Sequence, residues 1–367
     1  MPDTRARQRV EVTIVPVRIP PDLDGPYSDD FRSVIHLGNL LCRHDAGHDH
    51  FDQEPAEELP LWLDQTDATR LAYIARRDGV DIGAVTLTIP NDEGTTTAEF
   101  DLCVHPDHWG EGVEEALLAV TEQVARERSR DIIQTWTLHR SDQGGRRLRP
   151  PTGFGTIPAD DRQTVFMIDS GYTFEQTERN STFDLHGPID LVQRMQRDAL
   201  RVAGDRYRLV TWTTPTPAEY AEGFAYAISR MATDVPSGDM VFEEEAWDAA
   251  RVERRDARLL AGGHTVSVAC AQHVPSGRIV AFNELMIGSD HSRSTHQYGT
   301  LVLTEHRGHR LGMLVKTANL LRWRELVPDS PRVSTFNAEE NRPMLDINEA
   351  IGFTAASYAA AWKKVLD

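Results

Sequence analysis

Residues 301–323 place the tightest constraint on what this 367-residue chain can fold into. Leu301, Val302 and Leu303 form an apolar run suited to a buried strand, and Leu314, Ala318 and Leu321 recur at helical spacing further on. Between them lies a short basic loop, Thr304-Glu305-His306-Arg307-Gly308-His309-Arg310. The order strand, loop, helix opens a helix N-terminus onto that loop. Gly308 and Gly312 let backbone amides approach a ligand closely, and the first helical turn adds unpaired N–H donors and a partial positive charge. These features suit a phosphate or pyrophosphate. Arg307 and Arg310 contribute guanidinium forks, which match phosphate oxygens better than an ammonium does.

The spacing resembles the signature loop of the GCN5-related N-acetyltransferases (GNAT): Arg or Gln, two residues, Gly, one residue, then Gly or Ala. Arg307 and Gly312 hold the outer positions, and Arg310 replaces the central glycine. Downstream, residues 333–337 read as a strand and residues 341–353 as a short helix closed by Gly352-Phe353. This resembles the family's second cofactor element, in which a strand splays from its neighbour and an Asn at its end reaches the pantetheine arm; Asn337, Asn341, Gly352 and Phe353 match it. The resemblance implies acetyl-CoA as co-substrate, with Val302, Leu303, Thr304, Arg307, Gly308, His309, Arg310, Leu311, Gly312, Met313, Asn337, Asn341 and Met344 around it. It also implies that amides near Val302 and Leu303 polarise the thioester carbonyl.

The pattern recurs upstream. Residues 100–104 read as a strand, 105–112 as a loop, and Ala116, Leu117, Val120 and Val124 as the buried stripe of a helix. A strand at 132–136 and a helix at 159–170, closed by Gly171-Tyr172, complete the likeness. The expected fold is therefore α/β of the α+β kind: two tandem GNAT-like domains, each a mixed, mostly antiparallel central sheet flanked by helices. The domains are expected at 1–185 and 206–367, with a linker helix in 186–205.

Within the first copy, a strand is expected around residues 10–18 and a closing strand up to about residue 185. The Gly-, Arg- and Pro-rich stretch 143–158 reads as a long irregular loop. The second copy is expected to run strand 207–212, helix 217–231, helix 243–260, then strands 264–273, 279–287 and 296–303.

The copies differ where chemistry is sensitive. Trp109 stands where the family has Arg or Gln, and Glu114 where it has Gly or Ala. A carboxylate at the helix N-terminus takes the space and the positive potential that a pyrophosphate needs. The first copy is accordingly expected to bind acetyl-CoA poorly and the second to carry the reaction.

With 57 acidic against 39 basic residues, the net charge is −18, which argues against a nucleic-acid partner; it leaves room for a cationic acceptor, but solubility alone explains an acidic surface and is the first reading. No apolar run approaches the length of a membrane span, and the N-terminal residues lack the apolar core of a signal peptide, so a cytoplasmic location without a membrane partner is expected. Cys42, Cys103 and Cys270, odd in number and far apart, read as buried thiols. His44, Asp45, His48, Asp49, His50 and Asp52 have metal-ligating side chains, but their spacing fits no closed structural zinc pattern and no metal is expected. Self-association into a homo-oligomer stays open.

Acetyl transfer from a thioester to an amine requires an uncharged acceptor, a polarised carbonyl and a proton for the departing thiolate. Glu284, flanked by Phe282, Leu285 and Met286 in a central strand, is the first choice for general base and His296 the second; the alternative for Glu284 is a structural pairing with an arginine. Many family members carry a tyrosine acid five residues before the Phe of Gly-Phe. This chain has Asn348 there, which cannot serve as an acid. Tyr358, Tyr298 or solvent then takes the role, Tyr358 being preferred. The acidic run Asp234, Asp239, Glu243 and Glu244 precedes the central strands, where the family builds its acceptor wall; it suits a cationic acceptor or a solvated surface equally. The reading is an acetyl-CoA-dependent N-acetyltransferase acting on a primary amine of a small molecule or peptide, with the site in the C-terminal domain. The alternatives are a non-catalytic acyl-CoA-binding or assembly protein, or an acyltransferase using a longer acyl-CoA.

Overall fold

The computed structural model describes residues 12–141 and 144–367. Val10 and Glu11 of the first expected strand, the N-terminal residues read for a signal peptide, and Gln143 of the irregular loop lie outside the described residues. Two compact units emerge: the described part of Met1–Pro55 with Gln65–Thr135 and Lys364–Asp367, and Ala56–Asp64 with Trp136–Lys363.

Along the chain the elements are β1 (Thr13–Pro16), α1 (Ser28–Ala46), α2 (Pro55–Leu63), β2 (Ala68–Arg77), β3 (Val80–Pro90), β4 (Thr97–Val104), α3 (Val113–Glu127) and β5 (Ile132–Arg140). There follow β6 (Arg147–Leu148), β7 (Ile157–Pro158), α4 (Arg162–Asp169), β8 (Thr173–Asp184), α5 (Asp190–Ala203), β9 (Tyr207–Thr213), α6 (Ala218–Ser229), α7 (Met231–Asp234) and α8 (Ala249–Ala261). The chain closes with β10 (Thr265–His273), β11 (Ile279–Ile287), β12 (Thr295–Val302), α9 (Leu311–Leu326), β13 (Arg332–Ala338), α10 (Arg342–Ile351) and β14 (Thr354–Val365).

In the first unit β1, β2, β3 and β4 pair antiparallel in sequence order. β5 then joins β4 in parallel, with Thr97, Ala98 and Glu99 opposite Ile132, Ile133 and Gln134. The apolar stripe of α1 (Phe31, Val34, Ile35, Leu41) and that of α3 (Val113, Leu117, Val124) are buried, each repeating every three to four residues as a sheet-packed helix requires. Gly83 of β3 permits the close seat of α3, since a Cβ there would stand 3.0 Å from Val113 Cγ1 and 3.1 Å from Leu117 Cδ1.

The second unit has the strand order β14-β8-β13-β12-β11-β10-β9. β9 to β12 form an antiparallel meander. Fully buried Val266, Val268, Cys270, Val280 and Phe282 pack with Phe224 of α6 and with Leu311, Leu314 and Val315 of α9 in one core. Asn319 of α9 ties that helix to the sheet: its amide donates to the carbonyls of Ser267 (3.0 Å) and Asn283 (3.1 Å), and its oxygen accepts from Ser267 Oγ at 2.6 Å. Buried polar groups satisfied in this way set one helix position on the sheet rather than several.

β8, which in sequence closes the first repeat, lies in this second unit, antiparallel to β13 on one side and to β14 on the other. Two local expectations change. Residues 243–248 are not helical: α8 begins after Asp248, whose side chain caps it by accepting from the Arg251 amide at 2.7 Å. Within the expected irregular loop, β6 and β7 pair as a two-residue ladder. Among the described residues no helix is long and apolar enough to cross a membrane.

Candidate functional site

β12 and β13 are the key pair. They run parallel for two registered positions, Thr295 opposite Val333 and His296 opposite Ser334, and then part. A cleft of ≈ 160 Å³ opens where they diverge. Thr300 and Tyr298 line it from β12, and Thr335, Phe336, Asn337 and Ala338 from β13. Asn341 and Met344 close one end, and Met231, Val235, Pro236 and Phe242 form an apolar side. β12 also carries a bulge. Asn283 pairs with Thr300 and Leu285 with Gln297, so Glu284 alone faces Tyr298 and Gly299. Gly299 is needed there: a Cβ would lie 2.8 Å from Phe282 Cε2.

The fork itself is held by side chains. Lys316 of α9 is fully buried and donates to Gln297 Oε1 at 2.7 Å; Gln297 Nε2 donates in turn to Thr335 Oγ1 at 2.8 Å. Burial pulls the Lys316 ammonium down to about 7, and its nitrogen lies 5.2 Å from the centroid of the Phe353 ring. Asn337, three residues past the last position of β13 that pairs with β12, has its side-chain oxygen fixed by Asn348 Nδ2 at 2.7 Å, leaving its amide NH₂ as a donor on the cleft wall. Asn348 thus positions Asn337.

The loop after β12 makes a single short 3₁₀ turn (Thr304–His306), passes Gly308 with φ 83°, and enters α9 through Arg310 with φ 56°. The position where the family's loop has glycine therefore keeps the left-handed backbone that glycine adopts readily and arginine does not. α9 has no side-chain cap, and its first helical amide bond is Leu314 N–H to Arg310 O at 3.0 Å. The amides of Leu311, Gly312 and Met313 have no acceptor within the helix. A Cβ on Gly312 would stand 3.0 Å from Ile347 Cδ1 and 3.5 Å from Val302 Cγ2, so this backbone is closely seated. Open amides, a cradle of small volume, and exposed Arg307, Arg310 and half-buried His309 fit a pyrophosphate. Arg307 is also a strap, donating to the carbonyls of Asp234 (3.0 Å) and Val302 (3.3 Å).

Asp234 is committed to this scaffold. Burial opposes its charge, but hydrogen bonds from Arg230 (2.7 Å), Thr304 (3.1 Å) and Thr233 (3.2 Å) hold its carboxyl below the usual carboxylate range. It is spent on the loop rather than offered to an acceptor.

The expected catalytic groups are dispersed. Glu284 Oε1 accepts from Arg255 Nη2 at 2.7 Å, the structural pairing that its strand position left open. His296 is half-buried; burial, with His264 adding to it against Glu57, pulls its imidazole below the usual range. Tyr358 lies on β14 opposite Arg179 of β8. Among the described residues that line the cleft, Tyr298 is present while Glu284, His296 and Tyr358 are not. Among the cleft residues that escaped the sequence reading are Gln176 and Glu178 of β8. Their signal was there: after Phe174, Gln176, Glu178, Asn180 and Thr182 make a polar run on one face of β8, although the strand is central and largely buried.

The first repeat's loop has the same shape with different chemistry. A 3₁₀ turn (Pro106–His108), Gly110 with φ 79° and Gly112 with φ 89° lead into α3. Glu114, at the position equivalent to Gly312, is buried, and its Oε1 accepts from the Gly110 amide at 2.6 Å. The loop's donor is answered by the chain's own carboxylate. The acidic and histidine-rich stretch 44–52 sits at the end of α1, where the His48 and His50 rings stack at 3.8 Å and Arg43 pairs with Asp52. Among the described residues no group of three His, Cys, Asp or Glu side chains is arranged to hold a metal ion.

A family model, the acetyltransferase (GNAT) family, matches residues 40–148, within the first repeat. Among solved structures the chain is similar to a tandem GNAT protein from the clavulanic acid biosynthesis pathway, without acetyl-CoA, at 23% identity and a TM-score of 0.72, covering 97% of this chain and 98% of that one. It is also similar to a GCN5-related N-acetyltransferase from Sphaerobacter thermophilus (16% identity, TM-score 0.59, 98% and 96% covered). A third similarity is to the GCN5-related glucosamine N-acetyltransferase region of a fungal multi-domain GH3 β-N-acetylglucosaminidase (15%, 0.59), over 97% of this chain and 38% of that larger one. Among curated protein sequences none matches this chain. Acyl-CoA-dependent acetyl transfer is the general chemistry of the matched family. Over its length the chain has the tandem GNAT fold, and within it residues 40–148 match the model of the acetyltransferase (GNAT) family.

Proposed function

We propose that the protein is an acetyl-CoA-dependent N-acetyltransferase that acetylates a primary amine of a small molecule, and that the reaction takes place in the cleft between β12 and β13. The observation that carries this reading is the conjunction of that cleft with the uncapped start of α9, both in one compact unit. Leu311, Gly312 and Met313 would hold the pyrophosphate through their amides, with Arg307, Arg310 and His309 adding positive charge; Asn337, Asn341 and Met344 would line the pantetheine arm. Backbone near Val302 and Leu303 would face the thioester carbonyl. Although the family model matches the first repeat, Glu114 supports assigning that repeat a supporting role, because its carboxylate occupies the anion-facing donor.

The test is release of free CoA thiol from acetyl-CoA across a panel of primary amines, with the full chain. Amine-dependent release with one-to-one formation of the N-acetyl product is expected. Saturable acetyl-CoA binding with no release on any amine would replace this reading with that of an acyl-CoA-binding protein, and release only from longer acyl-CoAs would change the donor.

A further inference from the structure

One wall of the cleft comes from β8 and carries Glu178, which has a second carboxylate, Glu340 of the turn after β13, near it. Glu178 Oε1 accepts from Trp136 Nε1 at 2.9 Å, and Gln176 Nε2 donates to Glu340 Oε1 at 2.7 Å. Among the described residues neither carboxylate has an arginine or lysine partner, and Glu340 Oε2 is buried without a hydrogen-bond partner. Glu178 pairs in register with Ala338, and Phe336 points to the same face of the sheet, opposite to the face where Asn337 meets α10. Glu178 therefore stands on the acceptor side of the fork, beside Tyr298 and Phe242. The Trp136 and Phe242 rings lie with centroids 6.4 Å apart and planes inclined by 30°, so the carboxylate emerges next to an apolar, aromatic surface.

We propose that Glu178 is the acceptor-side base of the acetyl transfer, and that its wall selects a protonated primary amine attached to an apolar body. This rests on the N-acetyltransferase reading above and names its acceptor class. Two carboxylates close together without a cation repel each other, and an ammonium entering beside them relieves that repulsion. Burial, the main cause, and the nearby Glu340 push the Glu178 carboxyl above the usual range despite the Trp136 bond, which brings it closer to the working pH of a base.

The step balances as follows. The acceptor R–NH₃⁺ passes one proton to the Glu178 carboxylate, and the freed nitrogen lone pair forms a C–N bond to the thioester carbonyl carbon. The C–S bond breaks with its electron pair leaving on sulfur, and the second proton lost by nitrogen ends on that thiolate as CoA–SH. The Glu178 acid returns its proton to solvent.

The experiment uses 2-phenylethylamine and glucosamine as probes with the full chain and with Glu178→Gln, which keeps the acceptor for Trp136 Nε1. Titration of 2-phenylethylammonium into wild type saturated with CoA, which has no acetyl group to transfer, is expected to show binding at least tenfold tighter than that of glucosamine, weakened at least tenfold in Glu178→Gln. Acetyl-CoA affinity should be equal in both proteins. Turnover of 2-phenylethylamine is expected to fall by ~100-fold or more in the variant, and the acid limb of the wild-type pH profile should be lost. Equal amine affinity together with turnover within threefold of wild type overturns the proposal, as does preference for glucosamine. If wild type binds the ammonium through Glu178 but releases no CoA with any amine, the enzyme reading fails while the cationic subsite stands; absence of both overturns both.

Discussion

Gly312→Glu is expected to abolish acetyl-CoA binding by the full-length protein. The substitution installs in the second loop the residue that the first loop carries at the equivalent position, where Glu114 already accepts from the Gly110 amide. A carboxylate beside the open amides of Leu311, Gly312 and Met313 competes for the same donors and repels the incoming pyrophosphate. A loss of about 3–4 kcal/mol corresponds to ~100- to 1000-fold weaker binding. Gly312→Ala separates charge from bulk, because its Cβ meets only the far end of Ile347 at 3.0 Å and a methyl of Val302 at 3.5 Å. Isothermal titration should find the alanine variant within a few fold of wild type, and near-ultraviolet circular dichroism should find both variants folded. Wild-type affinity in folded Gly312→Glu would move the cofactor site away from this loop.

The second large effect concerns stability. Lys316 is fully buried and, among the described residues, only Gln297 accepts from its ammonium; its folded value of about 7 compares with 10.5 in a solvated chain. Between those two pH values the unfolded chain holds a proton that the folded chain has lost. Unfolding therefore takes up a proton, and stability rises with pH through this window, by about 5 kcal/mol at most from this one group. Below pH 7 both states are protonated and the full cost of burying the ammonium applies. Lys316→Met, which keeps volume and removes the charge, is expected to raise unfolding stability at pH 6 by ~2–4 kcal/mol after the lost Gln297 bond is counted. It should also flatten the rise between pH 7 and 10. Urea titrations at pH 6, 7.5 and 9 measure both, and an unchanged or lower stability at pH 6 would mean that the ammonium is solvated. Because Gln297 bridges the fork to Thr335, the same variant should loosen the cleft and raise the KM for acetyl-CoA.

Why a buried lysine sits there at all follows from the geometry of parting strands. Past His296 and Ser334 the backbones of β12 and β13 no longer pair, and the chain Lys316 to Gln297 to Thr335 spans the gap with side chains. A satisfied polar network holds one separation of the strands, whereas an apolar filling would tolerate several.

Much of this was legible from the residues alone, wherever the controlling interaction is local. The strand–loop–helix passage through residues 301–323 depends on periodicity and on glycines a few residues apart, so both its existence and its ends are encoded nearby. The same holds for the helix closed by Gly352, whose φ of 114° gives the glycine its purpose. The contrast between Glu114 and Gly312 was likewise readable, since position in a loop determines which amides a side chain reaches. Helix α8 was drawn too long because Glu243 to Trp247 have ordinary helix-forming residues, and only the Asp248 cap marks the start.

What the tertiary structure decided involves partners far apart in sequence. Arg255 neutralises Glu284 from a helix that no local pattern ties to β11, and so removes the most attractive base from the open cleft. β8 crosses to a position between β13 and β14 and brings Gln176 and Glu178 to the wall of the cleft, more than a hundred residues from the strands they face. Strand partnership depends on which edges remain open once the local units have formed, and that choice is made by long-range burial. By itself the sequence determined the repeated αβ units, the basic strand–loop–helix passage and the difference in charge between its two copies; assembly of the cleft, the burial of Lys316 and the placing of Glu178 on its wall were decided only in three dimensions.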